Sequence, residues 1–216
     1  MIKQVIFDCD GVLVDTEIIA AEIMVDLLSD LSIQIDTHQY IQEFTGKTFS
    51  DIMQYFNVNS IPGKDIESLA KQSEHAIYDH LREIPGMPEL VQSLDLPVAV
   101  ASNSNLWQVK KALQFLQLED TIGEAFFSAE MVASPKPSPD VYLLAAEKTG
   151  QAPAQCLVVE DSTSGVRSAL SAGMEVIGFC GASHILPGHA EKLAELGASS
   201  IAHDAKELKS ILSSRL

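Results

Sequence analysis

Val5-Ile6-Phe7-Asp8-Cys9-Asp10-Gly11-Val12-Leu13-Val14-Asp15-Thr16-Glu17 is the stretch on which the reading of this chain turns. A short β-rich run ends abruptly in two carboxylates and a glycine. Charge at the carboxyl end of a strand is informative, because open α/β sheets bind their ligands there. Asp8 and Asp10, two residues apart, would line one face if the strand continued through them. Gly11 directly after them gives the chain the freedom to leave the strand in a tight turn.

Outward from this stretch, β-rich runs recur at residues 97–101, 125–128, 156–159, 175–179 and 199–202. Helical periodicity lies between them at 87–94, 106–116, 141–148 and 165–172. The alternation predicts an α/β fold, a Rossmann-like parallel sheet with helices on both faces. Ser138-Pro139 reads as an N-cap with proline in the first turn, and Gly173 as a helix stop. Asp204 and Glu207 have capping-box spacing.

One stretch breaks the alternation. From about residue 16 to 84 helix follows helix, with apolar stripes Ile19, Ile23, Leu27, Leu31 and Ile66, Leu69, Ser73, Ile77, Leu81. Thr48 followed by Asp51 marks another helix start. The chain therefore divides into a core, residues 1–15 and 85–216, and an inserted all-helical domain, residues 16–84.

The polar groups after each run converge if the strands are neighbours. The run at 97–101 leads into Ser102-Asn103-Ser104, that at 156–159 into Glu160-Asp161-Ser162, and that at 125–128 to Lys136 between two prolines. Singly, each has an ordinary explanation as a turn, a cap or a surface loop. Four carboxylates at one sheet edge repel one another unless a cation sits among them. An all-oxygen site with few protein ligands suits Mg²⁺. Lys136 would balance phosphoryl charge, and the Ser102 hydroxyl with nearby backbone N–H groups would hold the oxygens.

Composition narrows the classes. The 216 residues are 46% hydrophobic with a formal net charge of −16, which excludes most nucleic-acid binding. No apolar run is long enough for a bilayer and no leader pattern stands at the start, so a cytoplasmic protein with no membrane partner is expected. Cys9, Cys156 and Cys180 have no arginine at the spacing of cysteine phosphatases, and Cys156 and Cys180, in apolar runs, read as buried, reduced packing residues. His38, His75, His80, His184, His189 and His203 lack ligand spacing and are expected at the surface. Trp107 reads as helix packing near the crevice.

The residues from Asp8 to Glu17 resemble the first signature of the haloacid dehalogenase superfamily. Ser102 is similar to its second motif, Lys136-Pro137 to its third and Glu160-Asp161-Ser162 to its fourth, and the helical insertion stands where its type 1 cap belongs. The likeness is greatest to the group of β-phosphoglucomutase and sugar phosphate phosphatases. It implies a Mg²⁺-dependent phosphatase acting on small phosphorylated metabolites, with 6-phosphogluconate a named candidate. Asp8 would be the nucleophile and Asp10 the acid and base. Asp8, the Asp10 carbonyl and Asp161 would hold Mg²⁺, with Glu160 either a direct ligand or a group behind the ligands, and Ser102 and Lys136 would complete the catalytic set. Gly11, Asn103, Gly46 and Lys47 join Ser102 and Lys136 as candidate substrate contacts, the Gly46-Lys47 pair through a cap loop. Asp15, Thr16 and Glu17 read as supporting or cap-hinge residues.

Pro135 stands where relatives often have glycine. The mutase branch carries a cap histidine where this chain has Ile18-Ile19-Ala20, which favours hydrolysis. Dehalogenases generally lack the second acid, present here as Asp10. A phospho-acceptor module of the receiver type or a catalytically silent binding protein are the non-enzyme alternatives. A monomer or small homo-oligomer is expected.

Overall fold

The computed structural model describes residues 1–58 and 65–216. Its sheet contains β1 (Gln4–Phe7), β2 (Val98–Ser102), β3 (Phe126–Ser128), β4 (Cys156–Glu160), β5 (Glu175–Phe179) and β6 (Ser200–Ala202). All pair in parallel, in the order β3-β2-β1-β4-β5-β6. The chain builds outward from β1 in both directions, so the switch in strand order falls between β1 and β4.

Ile6 pairs with Ala99 on one side and Val158 on the other, and Val158 pairs with Val176. These side chains share one face and pack with Val141, Tyr142, Ala145 and Ala146 of α8 (Asp140–Thr149) and Val166 and Ala169 of α9 (Thr163–Ser171). Their strand neighbours Val5, Phe7, Val100, Leu157, Val159 and Ile177 alternate to the other face and are also buried. Burial of both faces is why these strands read as unbroken apolar runs.

The other sheet-unit helices are α5 (Met87–Gln92), α6 (Leu106–Phe115), α7 (Glu119–Ile122), α10 (His189–Leu196) and α11 (Ala205–Ser213). α7 is too short to leave a periodic signal in the sequence. α8 starts one residue later than its proline suggests: Pro139 is the N-cap, and the Ser138 hydroxyl donates to Asp140 instead. Gly173 stops α9 in the left-handed region, with φ +77°. Asp204 caps α11 by accepting from Glu207 N.

The chain divides into two compact units, Met1–Asp15 with Arg82–Leu216 and Thr16–Leu81. Arg82 to Ile84 join the sheet unit through backbone bonds from Asp15 N to Arg82 O (2.9 Å) and from Ile84 N to Leu13 O (3.0 Å). The second unit holds α1 (Thr16–Asp30), α2 (Thr37–Phe44), α3 (Phe49–Tyr55) and α4 (Ile66–Asp79). The expected helical span 16–84 includes residues 59–64, which lie outside those described. Within α1 the buried residues are Thr16, Ile19, Ala21, Met24 and Leu28, and of the every-fourth-residue stripe only Ile19 is fully buried, with Ile23, Leu27 and Leu31 half-buried. A helix turns about 3.6 residues per turn, so a strict step of four drifts about 40° each time and leaves the buried face. The second stripe, which opens with a step of three, stays on the covered face: Leu69 and Leu81 are buried, Ile66, Ser73 and Ile77 half-buried, and Tyr78 of α4 joins them. Thr48 and Asp51 form a complete capping box at α3. Phe44 lies at the centre of an aromatic group, 5.3 Å from Tyr40, 5.0 Å from Tyr55 and 5.4 Å from Phe56. No described helix is long and apolar enough to cross a membrane.

Candidate active site

Strand register places the first pair of carboxylates. Phe7 pairs with Val159, so the next residues, Asp8 and Glu160, end adjacent strands on either side of the switch. Asp8 shares its parity with Ile6, and Glu160 with Val158, so both point toward the α8 and α9 face. Glu160 is fully buried and Asp8 is 7% exposed. Two buried carboxylates in adjacent positions need a counter-charge.

Lys136 supplies one. Its ammonium donates to Asp8 Oδ1 (2.8 Å), Glu160 Oε1 (2.7 Å) and the Ala101 carbonyl (2.8 Å), using all three protons. Burial alone would lower the Lys136 pKa, but Asp8 and Glu160 outweigh it and hold it well above the ordinary value. Burial first, then the Glu160 charge, push the Asp8 carboxyl well up, while Lys136 pulls it down. Asn103 sets the lysine in place: its Oδ1 accepts from Lys136 N (2.8 Å) and its Nδ2 donates to Lys136 O (3.2 Å). The Lys136-Pro137 bond is cis.

Glu160 is held from every side. Tyr142, a core residue of α8, donates its hydroxyl to Glu160 Oε1 (2.9 Å), and Ser162 donates N–H and hydroxyl to Oε2 (both 3.0 Å). A Cβ at Gly165 would lie 1.6 Å from Glu160 Oε1, so α9 can pass the carboxylate only as glycine. Asp161, 5% exposed, adds a third acid. One carboxylate oxygen from each of Asp8, Glu160 and Asp161 lies within 4.8 Å of the others, a donor set able to hold a metal ion. Gly11, at φ +76°, leaves room for it: a Cβ there would stand 1.9 Å from Asp161 Oδ2.

Asp10 turns elsewhere. Its Oδ2 accepts from the hydroxyls of Ser104 (2.6 Å) and Ser102 (3.2 Å), and Ser102 Oγ in turn accepts from Ser104 N (2.9 Å). The Ser128 hydroxyl donates to the Ser104 carbonyl (2.7 Å), tying this loop to β3.

The sheet unit thus gathers Asp8, Gly11, Lys136, Glu160 and Asp161 in one cluster, with Asn103 behind the lysine and Asp10 on Ser102 and Ser104. Gly46 and Lys47 belong to the helical unit, both exposed in the connection from α2 to α3, with Gly46 at φ +80°. Sequence reasoning missed Tyr142, Ser104 and Gly165, whose patterns look like ordinary helix and loop residues. It also misplaced two histidines. His184 is 9% exposed, with Nε2 3.4 Å from Asp161 Oδ2, and half-buried His189 donates to the Asp161 carbonyl (2.6 Å). The loop after β5 folds back onto β4, and no periodicity announces such a return.

The thiols are unsuited to nucleophilic work: burial pushes Cys156 and Cys180 up to about 11 and Cys9 well above its ordinary value. Trp107 is half-buried on α6, lining a cavity of about 600 Å³ with Lys110, Lys111 and Phe126.

Known proteins are similar to this chain in sequence and fold. The chain is 27% identical to 6-phosphogluconate phosphatase of Escherichia coli over 86% of both chains. It is 29% identical to fructose-1-phosphate phosphatase YqaB of Escherichia coli, over 80% of this chain and 93% of that one. A HAD family hydrolase from Deinococcus radiodurans, solved with bound phosphate and sodium, superposes with a TM-score of 0.85 at 29% identity, covering 99% of this chain and 96% of that one. Residues 5–179, which hold the whole acid cluster and its lysine, match the family model for haloacid dehalogenase-like hydrolases, and the chain belongs to that family.

Proposed function

We propose that this hydrolase is a Mg²⁺-dependent phosphatase of small phosphorylated metabolites, sugar or sugar-acid phosphates, working through an aspartyl-phosphate. The observation that carries the reading is the charge balance at the switch point. Three clustered carboxylates face the single ammonium of Lys136. The deficit fits a hard divalent cation held by oxygen donors. Asp8, Glu160 and Asp161 would hold Mg²⁺ together with the Asp10 carbonyl, and when bound the ion supplies positive charge against the phosphoryl oxygens.

The chain's own groups then have distinct tasks. Asp8 attacks phosphorus with a carboxylate oxygen, forming the acyl-phosphate bond as the ester P–O bond breaks. Lys136 favours the ionised form of Asp8 against burial and the Glu160 charge, and it offsets the phosphoryl charge. Asp10 gives a proton to the leaving alkoxide, and then takes one from the water that cleaves the acyl phosphate. The Ser102 and Ser104 hydroxyls fix its orientation. The helical unit is assigned the part of a cap, with Gly46 and Lys47 as contacts for the rest of the substrate. Similarity to 6-phosphogluconate and fructose-1-phosphate phosphatases supports the sugar and sugar-acid class.

The test is phosphate release from a panel of sugar phosphates, sugar-acid phosphates and nucleotides, with Mg²⁺ or EDTA. Release that requires Mg²⁺ and vanishes in Asp8→Asn is the expected result. Equal release by Asp8→Asn would overturn the mechanism, and preference for nucleotides would overturn the substrate class.

A further inference from the structure

The loop from β5 to α10 carries residues that the chemistry above leaves without a task. Cys180 N ties its start to Ala202 O of β6 (2.8 Å), and three attachments from the loop and the first residue of α10 end on the turns that follow β1 and β4. Ser183 N donates to both oxygens of Asp15, at 3.2 Å each. His184 places Nε2 3.4 Å from Asp161 Oδ2, and His189 places Nε2 2.6 Å from Asp161 O.

The Asp161 carbonyl only accepts, so His189 presents Nε2–H to it, and His184 Nε2 stands within ion-pair distance of the Asp161 carboxylate. One aspartate is therefore held at two points, its side chain by His184 and its backbone by His189. The other two acids of the cluster have holders of their own. Glu160 has Lys136, Tyr142 and Ser162 around it, and Asp8 has Lys136. Asp161 stands on the far side of the cluster, in a space kept open by Gly11, whose Cβ would also come within 3.2 Å of His184 Cε1. Groups that hydrogen-bond a metal ligand from behind fix its direction and raise its affinity for the ion.

We infer that His184 and His189 are positioning residues that aim Asp161 at the metal position and so set the cation affinity of the site. The inference rests on the reading of Asp161 as a metal ligand. His184 supplies the larger part, because it touches the carboxylate itself. Neither histidine reaches the phosphoryl chemistry except through Asp161.

The test is the affinity for Mn²⁺ alone, from the electron paramagnetic resonance signal of the free ion, in the full-length protein without substrate. His184→Ala is expected to weaken binding about 10- to 100-fold and His189→Ala by less. His184→Gln, which can return an N–H near the Nε2 position, is expected to restore most of the affinity. Turnover of His184→Ala at saturating Mg²⁺ should stay within a few-fold of the parent, so the loss appears as a raised Mg²⁺ requirement. Unchanged Mn²⁺ affinity in His184→Ala, or weakened affinity that His184→Gln does not restore while its melting temperature is parental, overturns the inference. Asp161→Asn separates the two levels. If it binds Mn²⁺ as the parent does, the metal assignment itself falls. If it loses binding while His184→Ala does not, only the role of the histidine falls.

Discussion

Asp8 and Asp10 are two residues apart and live in different surroundings. Asp8 sits in the dry sheet edge, against an ammonium and beside two further carboxylates. Asp10 sits on two serine hydroxyls beyond the end of β2. The turn at Gly11 makes this separation possible, since it frees the residues after β1 from the strand's alternation. Two chemically identical groups thereby receive different work: one is placed to attack and the other to move protons.

The contrast can be broken most forcefully at Asp8. Asp8→Asn is nearly isosteric and should lower phosphate release by about 10⁴-fold or more with the circular dichroism spectrum retained. Lys136→Met attacks the same side through charge. It leaves Asp8 and Glu160 buried together without their cation, and a loss of about 3–5 kcal/mol in denaturant unfolding is expected for metal-free protein, recovered in part by Mg²⁺. A metal-free stability equal to the parent's would mean that the lysine is not what balances the pair.

Asp10→Asn sharpens the comparison. With sugar phosphates the rate should fall roughly 10²–10³-fold. With dinitrophenyl phosphate, whose leaving group needs no proton, a burst of phenolate should survive and only its continuation should slow. Absence of the burst would place Asp10 in the attack step as well and erase the division of labour. The smallest effect is expected from Ser104→Ala. Loss of one hydroxyl on Asp10 should cost about 1–2 kcal/mol in the proton-transfer barrier, read as roughly a tenfold lower kcat with Mn²⁺ affinity unchanged.

How much of this could be read beforehand follows from the same geometry. Asp8, Ser102 and Glu160–Asp161 stand at strand ends, and an apolar run that stops in a polar residue is visible in any sequence. Lys136 was findable because little separates it from β3. Tyr142 was not, because its ring lies in the apolar face of α8 and only its hydroxyl reaches Glu160. His184 and His189 were not, because their value comes from a loop that crosses to a strand 23 residues or more earlier in the chain. The helical unit was legible as helices, but the stripe of its first helix was drawn with a step of four where the backbone turns in 3.6, while the stripe from Ile66 to Leu81 follows the covered face.

Tyr142 has a consequence for anyone who would engineer this protein. It is the largest fully buried side chain of the fold, and its far end is part of the acid cluster. Interior positions such as Val141 and Ala145 flank it on the same helix. A search for heat-tolerant variants that treats this interior as inert filling will therefore shift the phenol and, with it, the pose of Glu160. Libraries that hold Tyr142, Gly165 and Val158 constant while varying the opposite sheet face should gain melting temperature without surrendering turnover.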